Sequence, residues 1–403
     1  MKRLEHVRIL MYSHDTFGLG HLRRCREIAH ALVEHFKGLH ILIISGSPIA
    51  GAFDFRARVD FVKIPSVIKL HNGEYTSIDQ HIDIQETLEM RMSMIRNTAE
   101  SYKPDIFIVD KEPLGLRGEL KPVLHDLKTR GCTLVLGLRE VMDSPPLLKS
   151  EWQRTDMLRH IDNLYDEIWV YGPEDFWNPL TGLDASEALQ QRLVYTGFLD
   201  RTVPQTYACS DEHEKPYILI TTGGGGDGAR LLRQVLSAYE SGTDVGRDAI
   251  MVMGPFMPTD DREEIVNRAS KLDNVKVIEF ESRIERLIAG CDALVGMCGY
   301  NTFCEVLAFD KPALIIPRVR PREEQYVRAK RGQELGLIDM LHPLDADDPQ
   351  KMAEALKQVI ARKPPSAAFP KDITNGLDTI ADRVEELIVD RKRPALSVVR
   401  GGI

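Results

Sequence analysis

Residues 297–325 read MCGYNTFCEVLAFDKPALIIPRVRPREEQ, and the order of chemistries in this stretch decides the fold. The apolar run 293–295 just before it has the length and character of a buried strand. Gly299 permits a sharp turn, Asn301 or Thr302 can cap a short helix, and Pro312 stops that helix. Residues 313–317 then read as a second strand. Strand, glycine turn, helix and strand in so few residues form a βαβ unit, which belongs to a parallel sheet with helices on its faces. A helix that opens on a glycine turn points free backbone N–H groups, and the positive end of its dipole, at an anion. Glu305 lies about one turn into the helix, where a carboxylate can accept hydrogen bonds from two neighbouring hydroxyls. Thr302-x-x-Glu305 also fits a capping box, in which the Glu would only satisfy the helix start.

Outward from this unit the alternation continues in both directions. Residues 7–12 are an apolar strand that runs into SHDTFGLGH (13–21), after which Leu22, Cys25, Ile28, Ala29, Leu32 and Phe36 keep helical spacing. A dinucleotide fingerprint would need a third glycine where Arg23 stands, so G-x-G-x-x-G is excluded. Strands are expected at 40–45, 61–64, 106–109, 132–138 and 167–171, with a helix over 79–102. Asp110 ends the strand 106–109, at the edge where ligand clefts form in α/β folds. Residues 66–77 (SVIKLHNGEYTS) read as a long recognition loop, on which acceptor contacts are expected.

Periodicity lapses and proline and charge accumulate over 200–216, the best linker candidate. Beyond it, the strand 217–221 enters TGGGGDG, whose Gly223, Gly224, Gly225 and Gly226 let backbone approach a ligand closely. No Lys-Ser or Lys-Thr follows, so this is not a Walker A loop. Further strands are expected at 249–253 and 275–280, and helices at 283–289, 349–361 and 377–389. The tail from 391 reads as poorly ordered. The expected domains are therefore 1–200, a linker 201–216, 217–375, and a last segment 376–403.

A chain of 403 residues suits two domains of about 200 residues each. With 43% hydrophobic and 28% charged residues it has the composition of a soluble globular protein. A net charge of −9 without a basic stripe argues against a nucleic-acid partner. The six cysteines form no C-x-x-C pair and read as buried free thiols of a reducing compartment. No apolar run is long enough to span a bilayer and no signal segment opens the chain, so a cytoplasmic location is expected.

The spacing G-x-N-[ST]-x-x-E, with Pro seven residues after the Glu, Pro five later and then an acid-Gln pair, resembles the donor-binding signature of GT-B glycosyltransferases. It looks most similar to the family 28 branch, which includes the lipid II-forming N-acetylglucosaminyltransferases. The resemblance implies two facing Rossmann-like domains with a nucleotide-sugar, favouring UDP, in the cleft. It implies Glu305 on the ribose, Glu324 and Gln325 on the sugar, and Gly223 to Gly226 with Gly299, Asn301 and Thr302 toward the diphosphate. The turn around Arg283, residues 282–284, would read the base through its backbone. Plant members start the motif with a phosphate-binding His, and this chain has Met297 there. The last helix would cross back onto the first domain.

The first loop, G-x-G-H, resembles the acceptor-side loop of the same families, which implies Gly20 beside the donor and His21 as catalytic base, oriented by Asp110. No Asp-x-Asp motif occurs, so neither a metal nor a cofactor is expected. The acceptor is not specified by the residues. The resemblance implies a cell-envelope lipid or polysaccharide, and with it peripheral contact at the inner membrane face. Gly18-x-Gly20-His21-x-x-Arg24-Cys25 equally resembles the loop of a UDP-sugar hydrolase of pseudaminic acid synthesis. A non-catalytic nucleotide-sugar sensor is the reading from a different class.

Overall fold

The computed structural model describes residues 2–14, 20–69, 75–77, 82–201, 215–281, 283–369 and 371–392. The first half is a run of strands and helices: β1 (Lys2–Ser13), α1 (Gly20–His35), β2 (Phe36–Ser45), β3 (Val59–Lys63), β4 (Val67–Lys69), β5 (Tyr75–Ser77), α2 (Ile84–Tyr102), β6 (Ile106–Asp110), α3 (Lys121–Thr129), β7 (Thr133–Arg139), α4 (Pro145–Arg154), α5 (Met157–Leu164), β8 (Glu167–Tyr171), α6 (Glu187–Gln190) and β9 (Leu193–Tyr195). Seven of these strands form one parallel sheet in the order β3-β2-β1-β6-β7-β8-β9. Every residue of β6 (IFIVD) and of β8 (EIWVY) is buried. That is why these strands read as unbroken apolar runs, since helices cover both faces of a parallel sheet.

The second half comprises β10 (Tyr217–Thr221), α7 (Ala229–Glu240), β11 (Asp248–Val252), α8 (Thr259–Ala269), β12 (Val275–Ile278), α9 (Glu285–Gly290), β13 (Ala293–Gly296), α10 (Tyr300–Ala308), β14 (Ala313–Ile315), α11 (Glu324–Glu334), β15 (Asp339–Met340), α12 (Pro349–Ile360) and α13 (Gly376–Lys392). Its parallel sheet runs β12-β11-β10-β13-β14-β15, the doubly wound order. In each sheet the winding reverses beside the first strand, between β1 and β6 and between β10 and β13. Ligand crevices open at such points, outside the carboxyl ends of the strands. The architecture is α/β, with two Rossmann-like sheets, as the sequence implies.

Several local expectations change. The 66–77 segment is no open loop: β4 and β5 pair antiparallel, Val67 with Ser77 and Lys69 with Tyr75, and residues 70–74 lie outside the described part. The helix expected from 79 starts at Ile84, because the Asp83 carboxylate accepts the Gln85 N–H at 2.9 Å and caps it there. Most of the linker candidate, 202–214, Cys209 and the tail 393–403 are also outside the described residues. The other five cysteines are free and buried. The last helix, α13, lies against the first half: Arg383 Nε donates to Glu167 of β8 at 3.0 Å, and Lys2 Nζ meets Glu385 at 2.5 Å.

One apolar core runs through both halves. It joins Met11, Trp169 and Tyr171 of the first sheet to Leu219, Leu294 and Ile315 of the second. At the junction Phe176, Phe198 and Phe303 pack as a triad, with ring centroids 5.1, 5.3 and 5.5 Å apart.

Candidate functional site

Two crevices face each other, and the first is built at the ends of β1 and β6. Asp110, the last residue of β6, is 1% exposed and carries the most bonds there. Arg24 of α1 grips it with two donors, Nε to Oδ1 at 2.7 Å and Nη2 to Oδ2 at 2.6 Å. His21, in the first turn of α1, places Nδ1 2.5 Å from Asp110 Oδ2. Two acceptors would repel at that distance, so Nδ1 carries the proton and donates it to the carboxylate. Nε2 is left with its lone pair, the state a general base requires. Burial pushes His21 down to about 3, against the pull of Asp110 in the other direction. Asp110 gives the imidazolium little support because its charge is already matched by Arg24. On Asp110 itself burial acts upward, but Arg24 and His21 outweigh it and hold the carboxyl well below the usual range.

A second imidazole stands beside the first. His14 is 6% exposed and meets His21 edge to face at 5.8 Å. Tyr12 hydroxyl donates to Glu119 at 2.5 Å, and Arg91 closes on the same carboxylate with two bonds of 2.7 Å. The neighbouring Lys111 adopts φ +67°, a left-handed conformation unusual for a lysine, and pairs with Glu112 at 3.1 Å.

The second crevice is built from the ends of β10, β13 and β14. The glycine loop after β10 is not a slack turn. A Cβ on Gly225, at φ +88°, would lie 2.3 Å from the Met253 carbonyl oxygen, so the run lets two loops pack backbone to backbone. Gly223, at φ +64°, would meet nothing within 4 Å, and Gly223 and Gly226 are exposed. Gly224 accepts the Phe256 N–H at 2.9 Å. After β13 the expected cap is corrected. Gly299 occupies the N-cap position of α10 with no side-chain bond, and Asn301 and Thr302 lie inside the first turn. Asn301 instead links the halves, accepting from Arg201 Nη2 at 2.7 Å and donating to the Gly20 carbonyl at 3.2 Å. Glu305 does not reach back to a cap either: it is 2% exposed and accepts Arg23 Nη2 of α1 at 2.7 Å.

Glu324 and Gln325 open α11. Gln325 accepts the Arg318 N–H at 3.0 Å, and Glu324 lies between Arg318 Nη2 and Arg139 Nη2, each at 3.1 Å. Burial acts to raise Glu324, but Arg139, Lys111 and Arg318 hold it well below the usual carboxylate range. Arg318 also reaches Asp227, behind the glycine run, at 2.5 Å. Arg283 is exposed in the turn before α9, where its N–H donates to Glu281 at 2.7 Å, and Ser282 lies outside the described residues.

The structure therefore gathers Gly20, His21, Asp110, Asn301 and Glu305 around the facing first turns of α1 and α10. Glu324 and Gln325 stand across from β7, and Arg283 stays at the periphery. Sequence reasoning missed Arg23, Lys111, Arg139 and Arg318. Of these, Arg139 alone had a signal, its place at the carboxyl end of a strand.

With this geometry in hand, comparison with known proteins places the second half. Residues 218–384 match the Glycosyltransferase family 28 C-terminal domain. The second half is a family 28 glycosyltransferase domain. A UDP-N-acetylglucosamine–N-acetylmuramyl-(pentapeptide) pyrophosphoryl-undecaprenol N-acetylglucosamine transferase of Haemophilus influenzae (strain PittEE) is 26% identical over 188 residues, 44% of this chain and 49% of the relative. The chain thus spans about half the length of that relative. An uncharacterized glycosyltransferase of Methanosarcina acetivorans is 24% identical over 365 residues, 85% of this chain and 87% of its own. Among solved structures, the glycotransferase of kitacinnamycin superposes with a TM-score of 0.64 at 16% identity, covering 95% of this chain and all of its own. The two-domain fold is that of the GT-B glycosyltransferases. No helix among the described residues is long and apolar enough to cross a membrane.

Proposed function

We propose that this chain transfers a sugar from a nucleoside diphosphate donor, a UDP-sugar, to a hydroxyl of an acceptor. The observation that carries the reading is the contact between the first turns of α1 and α10. It puts a neutral imidazole held by Asp110 within a helical turn of the carboxylate that occupies the ribose position of a family 28 domain. In the transfer, His21 Nε2 takes the acceptor proton as the oxygen attacks the anomeric carbon. Charge appearing on the departing diphosphate meets the uncapped N–H groups of α10 and the glycine loop. Glu324 and Gln325 hold the sugar hydroxyls. Because these donors are built into the backbone, turnover should survive excess chelator; complete loss restored by Mn²⁺ or Mg²⁺ would sink that part of the proposal.

The Haemophilus influenzae relative is named for UDP-N-acetylglucosamine and a pyrophosphoryl-undecaprenol acceptor. This supports a UDP-sugar donor here and a cell-envelope lipid or polysaccharide acceptor, met from the cytoplasmic side of the membrane. Arg24, the arginine of the G-x-G-H-x-x-R-C loop, is bonded into the Asp110 site, so hydrolysis is tested alongside. A panel of nucleotide sugars is screened by thermal shift. A true ligand at one hundred times its dissociation constant adds about 2.7 kcal/mol. With the best binder, transfer predicts slow release of free sugar alone and rapid release of UDP once envelope lipid or saccharide extract is added. Rapid hydrolysis unchanged by extract would assign the site to a hydrolase.

A further inference from the structure

Arg24 and Arg23 are neighbours on α1 with opposite duties. Arg24 turns back into its own half to hold Asp110, whereas Arg23 crosses to the other half. Its Nη2 donates to Glu305 Oε1 at 2.7 Å and to Glu285 Oε1 at 3.2 Å. The Arg23 side chain is 16% exposed and that of Glu305 3%, so this ion pair is largely withdrawn from water. One turn away the Asn301 amide holds the Gly20 carbonyl at 3.2 Å. The first turns of α1 and α10 are therefore fastened at two points, with His21 between the two on α1.

A carboxylate that receives a ribose diol must be ionised, fixed in orientation, and still have acceptor positions to offer. A guanidinium bonded to one oxygen meets the first two needs, since a charge-assisted bond holds both the charge and the rotamer. It leaves the third open. Among the described residues, the hydrogen bonds recorded for the Glu305 carboxylate are on Oε1 and come from Arg23. Nothing on α10 substitutes for it, because the cap position is Gly299 with no side-chain bond.

Resting on the donor site described above, we propose that Arg23 is a positioning residue for ribose recognition. From the opposite domain it orients Glu305 toward the vicinal hydroxyls of a ribonucleoside diphosphate. The ribose and the base His21 are thereby located by one helical turn.

Calorimetric titration with UDP and 2′-deoxy-UDP tests this on wild type, R23K, R23Q, E305Q and R23Q/E305Q, with melting temperature measured in parallel. Wild type should favour UDP by about fivefold to a hundredfold, the range for one hydrogen bond to a charged group. R23Q should bring the preference near unity, R23K should restore part of it, and R23Q should add nothing to E305Q. An arginine that only braces the fold would lower the melting temperature and leave the preference intact. R23Q with undiminished preference overturns the inference and spares the donor reading; if R23Q does not fold, R23K with undiminished preference does the same. Wild type that binds UDP and 2′-deoxy-UDP alike removes the ribose role of Glu305 and Arg23 together. Wild type that binds neither removes the donor reading itself.

Discussion

His21 keeps its proton on Nδ1 because a carboxylate lies 2.5 Å away, and it stays neutral because that carboxylate is already spent on Arg24. Removing the imidazole should therefore remove proton transfer and little else. His21→Ala should lower turnover by about 10² to 10⁴-fold while UDP-sugar binding by calorimetry stays near wild type. Asp110→Asn should move turnover the same way by less, and an unaltered rate in His21→Ala would place the base elsewhere. The same burial has a consequence for stability. Burial lowers His21 to about 3 and His14 to about 4, both below the ordinary value near 6.5 of an unfolded chain. Above pH 6.5 both states are neutral and stability is flat. Below it the unfolded chain takes up protons that the native state refuses. Stability should then fall as pH falls from 6.5 toward 4, by about 1.4 kcal/mol per pH unit for each such histidine. Urea unfolding at pH 7.5, 6 and 5 reads this directly, and a flat profile would contradict the buried, neutral assignment.

At the scale of elements, α10 and the glycine loop divide packing from binding. Thr302 lies in the first turn of α10 rather than at its cap, so Thr302→Ala should cost far less than the ~1 kcal/mol of a lost cap. Glu305→Ala should weaken UDP-sugar binding by about 1 to 3 kcal/mol. A drop in melting temperature with unchanged affinity would return Glu305 to a purely structural role. In the loop, Gly225→Ala would drive a Cβ to 2.3 Å from a backbone oxygen and should lower the melting temperature strongly. Gly223→Ala meets open space and pays only the left-handed strain of about 1–2 kcal/mol, so its loss should appear in donor affinity. The units themselves were legible because each is local: apolar strand, glycine turn and amphipathic helix are written within about thirty residues. Their partners were not. Arg23 meets Glu305 across 282 residues of chain and Arg139 meets Glu324 across 185, and no periodicity records which of 52 lysines and arginines will cross the cleft. The 66–77 segment misled for the opposite reason, since its two strands are three residues each and too short for alternation to show.

For the whole molecule, the continuous core sets what the two halves can do relative to each other. Two-domain proteins ordinarily move about their linkers unless the interface is large and apolar. Here Phe176 and Phe198 of the first half interlock with Phe303 of α10, and Arg328 of α11 is fully buried against Glu140 of the first half at 2.5 Å. Breaking that pair by removing one partner typically costs about 3–5 kcal/mol, so the halves are tied beyond the reach of thermal opening at this point. Motion that admits a donor must pivot about the aromatic triad and spread the α1–α10 end, where the contacts are polar and exchangeable. The two sheets should consequently unfold as one unit. Phe176→Ala, a change in the first half only, should cost about 3–5 kcal/mol. It should shift a single calorimetric transition and raise amide exchange in β10, β13 and β14 as much as in β1 and β6. Two separate transitions, with exchange in the second sheet unmoved, would mean that the halves are independent and that the cleft opens as a free hinge.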